Sequence, residues 1–469
     1  MPRSTPDTKG EGSGTAAYLS RRLADMHVYG EAGQEAPPFR LAPRPVALPA
    51  ELSGRLQEIG EDLAAFQDAL QHLYRQSEKD ASLSFVRTYL DRGKPQQVVE
   101  HARLNRLKKD LPILIRPDIL DTEDGIKVAE VDAVPGGWGT LAALQEVYAD
   151  LGFDPGGGPT GVVDAFGAAI AALTGNPGAR VAIAVSDEAS DYLPEMEALG
   201  RAARSRGLDV SVLHPRQIRF SDEGLFLPEG GRVDVLYRFF ELFDIKNVPK
   251  WEIFLYAAKH RTVTLTPPAK PYLEEKLQAA FLFHDSLAPL WQDRLGPNRL
   301  ERLRALFPRT WVVDGGELPP QARISGLTIG NVPVRSFREL KGLSQSERQN
   351  WLLKPSGFSP LAWGAHGVRV GADLSAADWE EAVDRSLAAW EAGDSPWVLQ
   401  AYHKPKVGRA EILEGDRARP FECRGRYCPY YFRTGEGMTL GGVLVTLCPK
   451  DKKIIHGMSD AVMAPGSGF

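Results

Sequence analysis

Apolar residues recur every three or four positions over residues 52–73, in the series Leu52, Leu56, Ile59, Leu63, Phe66, Leu70 and Leu73. This period places the seven side chains on one face of an α-helix. A helix packed on its own domain is favoured over a coiled coil. Further helices are predicted in the segments TLAALQEVYADLG, VVDAFGAAIAAL and SDYLPEMEALGRAARSRG.

Short apolar runs alternate with helical segments between residues 161 and 266. Strands are predicted in RVAIAV, LDVSVLHP, RVDVLYRFF and TVTLTPP. A strand–helix–strand order is typical of parallel sheets with right-handed crossovers. We therefore predict a Rossmann-like α/β domain at residues 161–266.

The pattern changes after Pro267, where segments rich in aromatic and β-branched residues predict antiparallel strands. These segments are NWLLKPSG, PWVLQAYHK, RPFECRGRYCPYYF and GGVLVTLCP. The segment LSAADWEEAVDRSLAAW predicts a helix with Ser375 as its N-cap. The chain as a whole is predicted to be α+β, with a polar, disordered tail at residues 1–16 and a mainly helical segment at residues 17–100.

Charged and apolar residues alternate on both sides of an Asp-Gly turn between residues 116 and 132. Side chains alternate faces along a strand, so Arg116 and Asp118 share one face, as do Glu130 and Asp132. The segment therefore predicts a β-hairpin that collects charged side chains on one face.

The turn decides how these charges meet. A three-residue loop, Glu123–Gly125, is a common hairpin connection and would pair Thr122 with Ile126. Asp118 then faces Glu130 at a Cβ separation of about 5 Å. Two facing carboxylates repel each other unless a cation such as Mg²⁺ binds between them. The alternative is a ladder of ion pairs that faces solvent.

Two later segments could surround a nucleotide. Lys354 precedes a loop that contains Gly357, Gly364 and Gly367. An ammonium and glycine N–H groups can surround phosphate oxygens, although many glycine loops only connect strands. Backbone groups at the end of the strand WVLQAYHKP, near residues 400–402, could contact the edge of a purine. A polar end on an edge strand is the alternative.

Composition narrows the classes of function. The chain has 469 residues and a net charge of −5, without the basic excess typical of proteins that bind nucleic acid. No run of 18 apolar residues predicts a membrane span, and the N-terminus lacks the apolar centre of a secretory signal. The three cysteines, Cys423, Cys428 and Cys448, argue against a disulfide framework. We therefore expect a cytoplasmic protein whose cysteines are packing residues.

Common catalytic signatures are weak or absent. The segment GGGPTG, residues 156–161, satisfies G-x-G-x-x-G. It follows a predicted helix and loop instead of a strand and contains a proline, which disfavours a dinucleotide site. The sequence contains no GxxxxGK[ST], HExxH or GxSxG motif.

The order of the motifs resembles the circularly permuted ATP-grasp family, and within it the glutathionylspermidine synthase-like branch. RPD and ExD come first, followed by the α/β domain, YLEEKLQ, the KP-glycine loop and QxY. In ordinary ATP-grasp enzymes the acidic metal-binding strands come last. The resemblance implies a metal-binding part at residues 101–160, a nucleotide-binding part at residues 267–469, and the α/β domain inserted between them.

The resemblance also implies metal-binding and catalytic roles. Asp118, Glu130 and Asp132 match the magnesium ligands of the family. Arg116 matches the arginine that steadies the transferring phosphate, and Arg238 matches an arginine of the central α/β domain. Many family members have asparagine where Asp132 stands.

The nucleotide-binding roles follow in the same way. Lys276 and Lys354 match the two lysines that hold the phosphates of ATP. Gln400 and Tyr402 match the strand that lies beside the adenine. The loop glycines Gly357, Gly364 and Gly367 match the loop over the phosphates.

The implied function is that of an ATP-dependent carboxylate–amine ligase with ATP and Mg²⁺ as cofactors. ATP would phosphorylate a small-molecule or peptide carboxylate, and an amine would displace phosphate to give an amide. A non-catalytic nucleotide-binding or substrate-binding protein is the alternative, because Asp132 and a long glycine loop depart from the family pattern. A Rossmann-type oxidoreductase built on GGGPTG is a third, disfavoured interpretation.

Overall fold

The structure is a computed structural model that describes residues 14–29, 37–316, 319, 322–362, 366–415, 417–455, 457 and 460–469. Its helices are α1 (Thr15–Asp25), α2 (Ala50–Ser53), α3 (Leu56–Ser77), α4 (Ser84–Asp91), α5 (Gln96–Ala102), α6 (Trp138–Asp150), α7 (Gly161–Thr174), α8 (Leu193–Ser205), α9 (Trp251–His260), α10 (Gln278–Leu282), α11 (Ala288–Leu295), α12 (Pro297–Leu306), α13 (Gln345–Arg348) and α14 (Ala376–Ala392). Its strands are β1 (Arg40–Leu41), β2 (Val46–Ala47), β3 (Leu114–Thr122), β4 (Gly125–Asp132), β5 (Val181–Val185), β6 (Val210–Leu213), β7 (Arg219–Ser221), β8 (Gly224–Phe226), β9 (Val235–Phe239), β10 (Thr264–Thr266), β11 (Thr310–Val313), β12 (Thr328–Ile329), β13 (Val332–Pro333), β14 (Trp351–Pro355), β15 (Arg369–Val370), β16 (Trp397–Ala401), β17 (Gly408–Glu414), β18 (Arg417–Thr434), β19 (Gly437–Pro449) and β20 (Val462–Ser467).

The largest sheet has the order β1-β20-β19-β18-β3-β4, with β17 paired to β18 and β2 to β20. Consecutive aromatic residues in β18 are buried because both faces of this sheet are covered. Tyr431 packs in the hydrophobic cluster that contains α3, and its hydroxyl donates to Leu56 O at 2.7 Å. Tyr430 and Phe432 point to the opposite face, into the cluster that contains α6 and α7.

A separate sheet has the order β10-β9-β5-β6 with every neighbouring pair parallel. The four strands predicted between residues 161 and 266 are confirmed, as is their parallel arrangement. Strands β5 and β9 are buried throughout because apolar clusters cover both faces. The carboxyl ends of parallel strands lie at one edge of a sheet, and this edge borders the cavity described below.

A smaller antiparallel sheet has the order β11-β16-β14-β15 and packs against α14. The predicted N-cap is confirmed, since the Ser375 hydroxyl accepts a hydrogen bond from Asp378 N at 3.2 Å. Trp379, Val383 and Leu387 form the buried face of the helix. The mixed α+β character of the chain is therefore confirmed.

The N-terminal region differs in two details from the prediction. Helix α1 begins at Thr15, inside the tail predicted for residues 1–16, because Leu19 and Leu23 pack into the core. Residues 1–13 lie outside the described ranges. The region also contributes β1 and β2, which pair in parallel with β20. None of the helices in the described ranges has the length together with the apolar character needed to span a bilayer.

Candidate functional site

A cavity of about 850 Å³ lies where three structural units meet. One wall is the β3–β4 hairpin with β18, the second is formed by β14 and β16, and the third by the residues that follow β5 and β9. This volume is typical of small-molecule sites. The predicted site residues that line the cavity are Arg116, Asp118, Glu130, Asp132, Lys276, Lys354, Gln400 and Tyr402.

The hairpin has the predicted pairing, reached by a different turn. Arg116 pairs with Asp132 and Asp118 with Glu130. However, Thr122 pairs with Gly125 instead of Ile126, so the predicted three-residue loop is wrong. A bulge after Asp118 restores the register. The shorter loop is stabilised by the Thr122 hydroxyl, which accepts a hydrogen bond from Asp124 N at 3.2 Å.

Side-chain cations lie between the hairpin carboxylates. Arg116 Nη2 is 3.0 Å from Asp118 Oδ1 and 3.1 Å from Asp132 Oδ2. Lys276 Nζ is 2.8 Å from Glu130 Oε2. Burial acts to lower the pKa of Arg116, but the two aspartates hold this pKa well above its ordinary value. Burial acts to raise the pKa of Glu130, yet the nearby lysines lower it to about 2.

These ion pairs bear on the predicted magnesium site. Three carboxylates suit Mg²⁺ by their chemistry. However, both oxygens of Asp118 are occupied, because Arg426 Nη1 lies 2.8 Å from Oδ2 and Arg116 contacts Oδ1. Within the described residues, no group of three or more acidic, histidine or cysteine side chains is placed to hold a metal ion. The carboxylates therefore do not form a ready-made metal site, and their role as ligands stays a prediction.

Lys354 reaches the hairpin from the opposite wall. It lies in β14, as predicted, and its Nζ donates to Ala129 O at 2.8 Å. Ala129 is the residue left without a partner by the bulge in β4. Burial lowers the pKa of Lys354 to about 8, although the negative charge of Glu130 acts to raise this pKa. Lys354 is thus fixed beside the acidic hairpin, with its charged head at the cavity.

The three adjacent side chains of the segment Glu274–Lys276 each pair with a residue from a different part of the fold. Glu274 pairs with Arg238, and Lys276 pairs with Glu130. Glu275 contacts Lys94 in a pair whose side chains are both 0% exposed. These contacts fix Lys276 in position, although sequence reasoning identified only the lysine.

Glu275 also holds the start of the glycine loop. Its carboxylate accepts hydrogen bonds from the Ser356 hydroxyl and from Gly357 N, the latter at 2.8 Å. A Cβ atom at Gly357 would lie 2.0 Å from Glu274 O, so only glycine permits this approach. A Cβ at Gly367 would lie 2.5 Å from Pro355 Cγ. These two glycines serve close packing, whereas Gly364 lies outside the described residues.

Arg238 lies behind the cavity. It is fully buried, and its guanidinium donates to Pro267 O at 2.9 Å and Phe240 O at 2.8 Å. It also donates to Pro268 O at 3.3 Å and pairs with Glu274. The structure therefore places Arg238 where it supports the segment that carries Lys276, and does not bring it to the cavity with the other predicted residues.

Strand β16, which is predicted to lie beside the adenine, is an interior strand of its sheet and not an edge strand. β16 lies between β11 and β14, and the Ala401 and Tyr402 N–H groups donate to Arg309 O and Asn350 O. These two N–H groups are therefore not free to contact a purine. The Gln400 side chain donates to Thr310 Oγ1 at 2.9 Å. The Tyr402 hydroxyl is buried at the cavity and has no hydrogen-bond partner among the described residues.

The third wall was missed by sequence reasoning. Glu188 follows β5, while Glu241 and Asp244 follow β9, and all three line the cavity. Burial, with Asp132 nearby, raises the pKa of Glu241 to about 8. Burial, with Glu188 nearby, raises the pKa of Asp244 to about 6. The aromatic residues of this wall are Tyr192, Phe239, Phe240 and Phe243. Their position at the carboxyl ends of predicted parallel strands is the signal that could have found them.

The neighbouring arginines of β18, the cysteines and the GGGPTG loop have different surroundings. Arg424 donates to Lys450 O at 2.7 Å and Pro405 O at 2.6 Å, whereas Arg426 lines the cavity. The three cysteines are buried thiols, as expected, and Cys428 lies 3.4 Å from Asp118 Oδ1. The GGGPTG loop follows helix α6, and its Gly156 N donates to Gly466 O at 2.8 Å. This packing agrees with the judgement that the loop is not a dinucleotide site.

Comparison with known proteins identifies the architecture. No protein-family model and no curated protein matches the chain. A solved structure of a glutathione synthetase like-effector (GSS30) from Globodera pallida, in apo form, matches with a TM-score of 0.53 and 11% identity over 99% of each chain. The fold is similar to that of this glutathione synthetase-like effector. A protein from Methylobacillus flagellatus, provisionally described as a gamma-glutamylcysteine synthetase, has a TM-score of 0.41 and 13% identity over 89% of this chain and 86% of its own. At these identities the likeness concerns the fold alone.

Proposed function

We propose that this glutathione synthetase-like protein is an ATP-dependent carboxylate–amine ligase that forms an amide or peptide bond through an acyl phosphate. The observation that carries the proposal is the distribution of charge around one cavity. Arg116, Lys276 and Lys354 converge on the hairpin side, and Glu188 and Asp244 lie on the third wall. A site of this kind offers cations to phosphates and carboxylates to an amine.

The cations match the charge of the nucleotide. ATP carries about four negative charges, and phosphoryl transfer to a carboxylate requires positive charge around the transferring group. Arg116 and Lys276 are already held by hairpin carboxylates, and Lys354 is held by Ala129 O. Their positions are thus established before a nucleotide binds, and the ion pairs of Arg116 and Lys276 open when the hairpin carboxylates take up Mg²⁺.

The reaction then has two transfers. A substrate carboxylate oxygen attacks the γ-phosphorus of ATP, the bond to the ADP oxygen breaks, and an acyl phosphate forms. The nitrogen of the amine attacks the acyl carbon, phosphate leaves, and the nitrogen loses a proton to give the amide. Because water competes with the amine for the acyl phosphate, the site must exclude water during the second transfer.

The third wall suits the amine. Glu188 and Asp244 present carboxylates to the cavity, and Phe239 and Phe243 present apolar surface beside them. Glu241, whose pKa burial raises to about 8, adds a carboxyl group that is mainly protonated near neutral pH. An ammonium group is attracted to the carboxylates, and its carbon chain can pack on the rings. We assign this wall to the amine substrate and the hairpin side to the phosphates and the acyl group.

Magnesium enters the proposal together with the nucleotide. Mg²⁺ is usually held by one or two carboxylates plus substrate phosphates instead of an all-protein cage. Asp118, Glu130 and Asp132 are the side chains that would contribute, each after exchanging its present side-chain cation. We also propose the permuted ATP-grasp order, in which the acidic hairpin precedes the nucleotide-binding strands. The proposed location is the cytoplasm.

Release of ADP tests the proposal. The purified protein is mixed with ATP, Mg²⁺ and pools of acids and amines, and we expect ADP release that requires both an acid and an amine. Arg116→Ala should retain ATP binding while turnover falls by about 10²–10³-fold, the usual loss when one group that stabilises a transition state is removed. Arg335→Ala, at an exposed position, is the matched control. Equal turnover in Arg116→Ala and wild type would remove Arg116 from the mechanism.

A second candidate is a nucleotide-binding protein without catalysis. It is favoured by the ion pairing of Asp118 and Glu130, which leaves no group of three acidic side chains placed to hold a metal among the described residues. A thermal shift with ATP and Mg²⁺ but no ADP release from any acid–amine pool would support it. A ligand at 100 times its Kd stabilises by about 2.7 kcal/mol, so binding is measurable in either case.

A further inference from the structure

A second cleft of about 430 Å³ lies on the N-terminal helices, with a lining distinct from that of the catalytic cavity. It is formed by α3, by the segment that precedes β3, and by α11. Five cationic side chains line it: Arg75, Lys79, Lys108, Lys109 and Arg294. The chain as a whole has a net charge of −5, so this concentration of positive charge runs against its composition.

The five cations have no carboxylate partners in the described structure. Ion pairs are frequent elsewhere on the surface, but none within 4.0 Å involves these side chains. Arg75 donates to the neutral Asn105 side chain at 2.5 Å. Asp68, a carboxylate that lines the cleft, lies 3.5 Å from Arg433 instead. The cleft therefore holds unpaired positive charge, and like charges around one cleft repel each other.

The lining also defines the chemistry of a ligand. Besides the cations and Asp68, the cleft is lined by Gln71, His72 and Gln76 and by no aliphatic or aromatic hydrocarbon side chain. The polar ends of these side chains offer hydrogen-bond donors and charge, and the hydrocarbon of the lining belongs to the stems of the long side chains. A volume of about 430 Å³ admits a small molecule and not a folded partner.

We propose that this cleft binds a compact anion that carries several phosphate groups, either an inorganic polyphosphate or the phosphate chain of a phosphorylated small molecule. Lysine and arginine around an open cleft are the usual groups that bind phosphate oxygens. The proposal does not depend on the ligase assignment, because the cleft shares no lining residue with the catalytic cavity.

The floor of the cleft contacts the segment that leads to Lys276. Gln71 Oε1 accepts hydrogen bonds from Lys270 Nζ and, at 3.4 Å, from the Tyr272 hydroxyl. Lys270 also donates to Asp110 O at 2.6 Å, next to the lysines of the cleft. An anion bound here would therefore lie against the segment that continues to Lys276.

Lysine acetylation with mass-spectrometric readout tests the proposal on the whole protein, with tripolyphosphate as the probe. We expect tripolyphosphate to lower the labelling rates of Lys79, Lys108 and Lys109 at least five-fold. All three rates should fall with the same half-saturating concentration of tripolyphosphate. Arg294→Gln should raise this concentration several-fold. Arg335→Gln, which removes the same charge at a distant exposed position, should leave it unchanged. Inorganic phosphate and ATP as further probes distinguish the phosphate chain alone from a larger phosphorylated molecule.

The design separates this site from the catalytic cavity. Protection of Lys276 and Lys354 reports nucleotide-phosphate binding in the cavity and does not bear on the cleft. Sodium chloride at equal ionic strength controls for simple screening. The proposal is overturned if tripolyphosphate leaves the three cleft lysines unprotected, if chloride protects them equally, or if Arg294→Gln and Arg335→Gln behave alike.

Discussion

The buried pair of Lys94 and Glu275 gives the sharpest test of how the site is supported. Both side chains are 0% exposed, and Glu275 also accepts hydrogen bonds from Ser356 and Gly357. Lys94→Met retains most of the side-chain volume but leaves the carboxylate without a cation. Removing one partner of a buried ion pair costs about 3–5 kcal/mol. In the double variant Lys94→Met/Glu275→Gln no charge is stranded, so we expect a smaller loss than in Lys94→Met.

Hydrogen exchange at Gly357 measures this loss locally, because its N–H donates to Glu275 Oε2 at 2.8 Å. At about 1.4 kcal/mol per factor of ten, a loss of about 3 kcal/mol speeds exchange by about 100-fold. Lys450→Met is the matched control: its pair with Glu422 spans 2.6 Å, but the side chains are 59% and 46% exposed, and such pairs contribute little. The reasoning is refuted if Lys94→Met exchanges as slowly as the wild type, or if the double variant exchanges as fast as Lys94→Met.

Three further predictions concern other parts of the account. Arg238→Met should lower the melting temperature by several degrees, because it removes the donors to three carbonyls and the partner of Glu274. The control Arg335→Met, at an exposed position, should leave the melting temperature unchanged. Equal melting temperatures for Arg238→Met and the wild type would contradict this prediction. Burial lowers the pKa of Lys270 from 10.5 to about 7. As pH falls from about 10.5 to about 7, Lys270 becomes protonated in the unfolded chain before it does so in the folded protein. The free energy of unfolding of the wild type should therefore fall relative to that of Lys270→Met across this window. Parallel pH profiles of the two free energies would refute the lowered pKa. Chelation of Mg²⁺ should stop ADP release and added Mg²⁺ restore it; release that persists in chelator would exclude a metal requirement.

The hairpin shows how far local pattern could lead. Period-two alternation identified the strands and the shared face of Arg116, Asp118, Glu130 and Asp132. The predicted pairing of these four residues is correct although the predicted turn is wrong. The register shift caused by the shorter loop is cancelled by the bulge at Ala129. The carbonyl of Ala129 accepts from Lys354, which lies 225 residues further along the chain. A bulge associated with so distant a contact leaves no trace in local spacing.

Other features of the site depend on tertiary contacts in the same way. Nothing in the sequence around Lys94 indicates that it pairs with Glu275. The sequence predicts that the loop glycines lie over the phosphates, whereas Gly357 is required by the approach of Glu274 O. Arg238 matched a family position but supports the site from behind. The long strands and helices were predictable because their periodicity extends over many residues, whereas the two-residue strands β1 and β2 are too short to show a period.

The most direct test of the central claim is calorimetric titration of a non-hydrolysable ATP analogue with Mg²⁺. We predict that the wild type binds and that Lys354→Met binds about 10- to 100-fold more weakly, because one charge-assisted contact to phosphate contributes about 1.5–3 kcal/mol. Lys450→Met, which removes an exposed lysine, should bind like the wild type. A wild type that does not bind the analogue, or a Lys354→Met variant that binds it as tightly, would contradict the proposal that this cavity holds the phosphates of ATP.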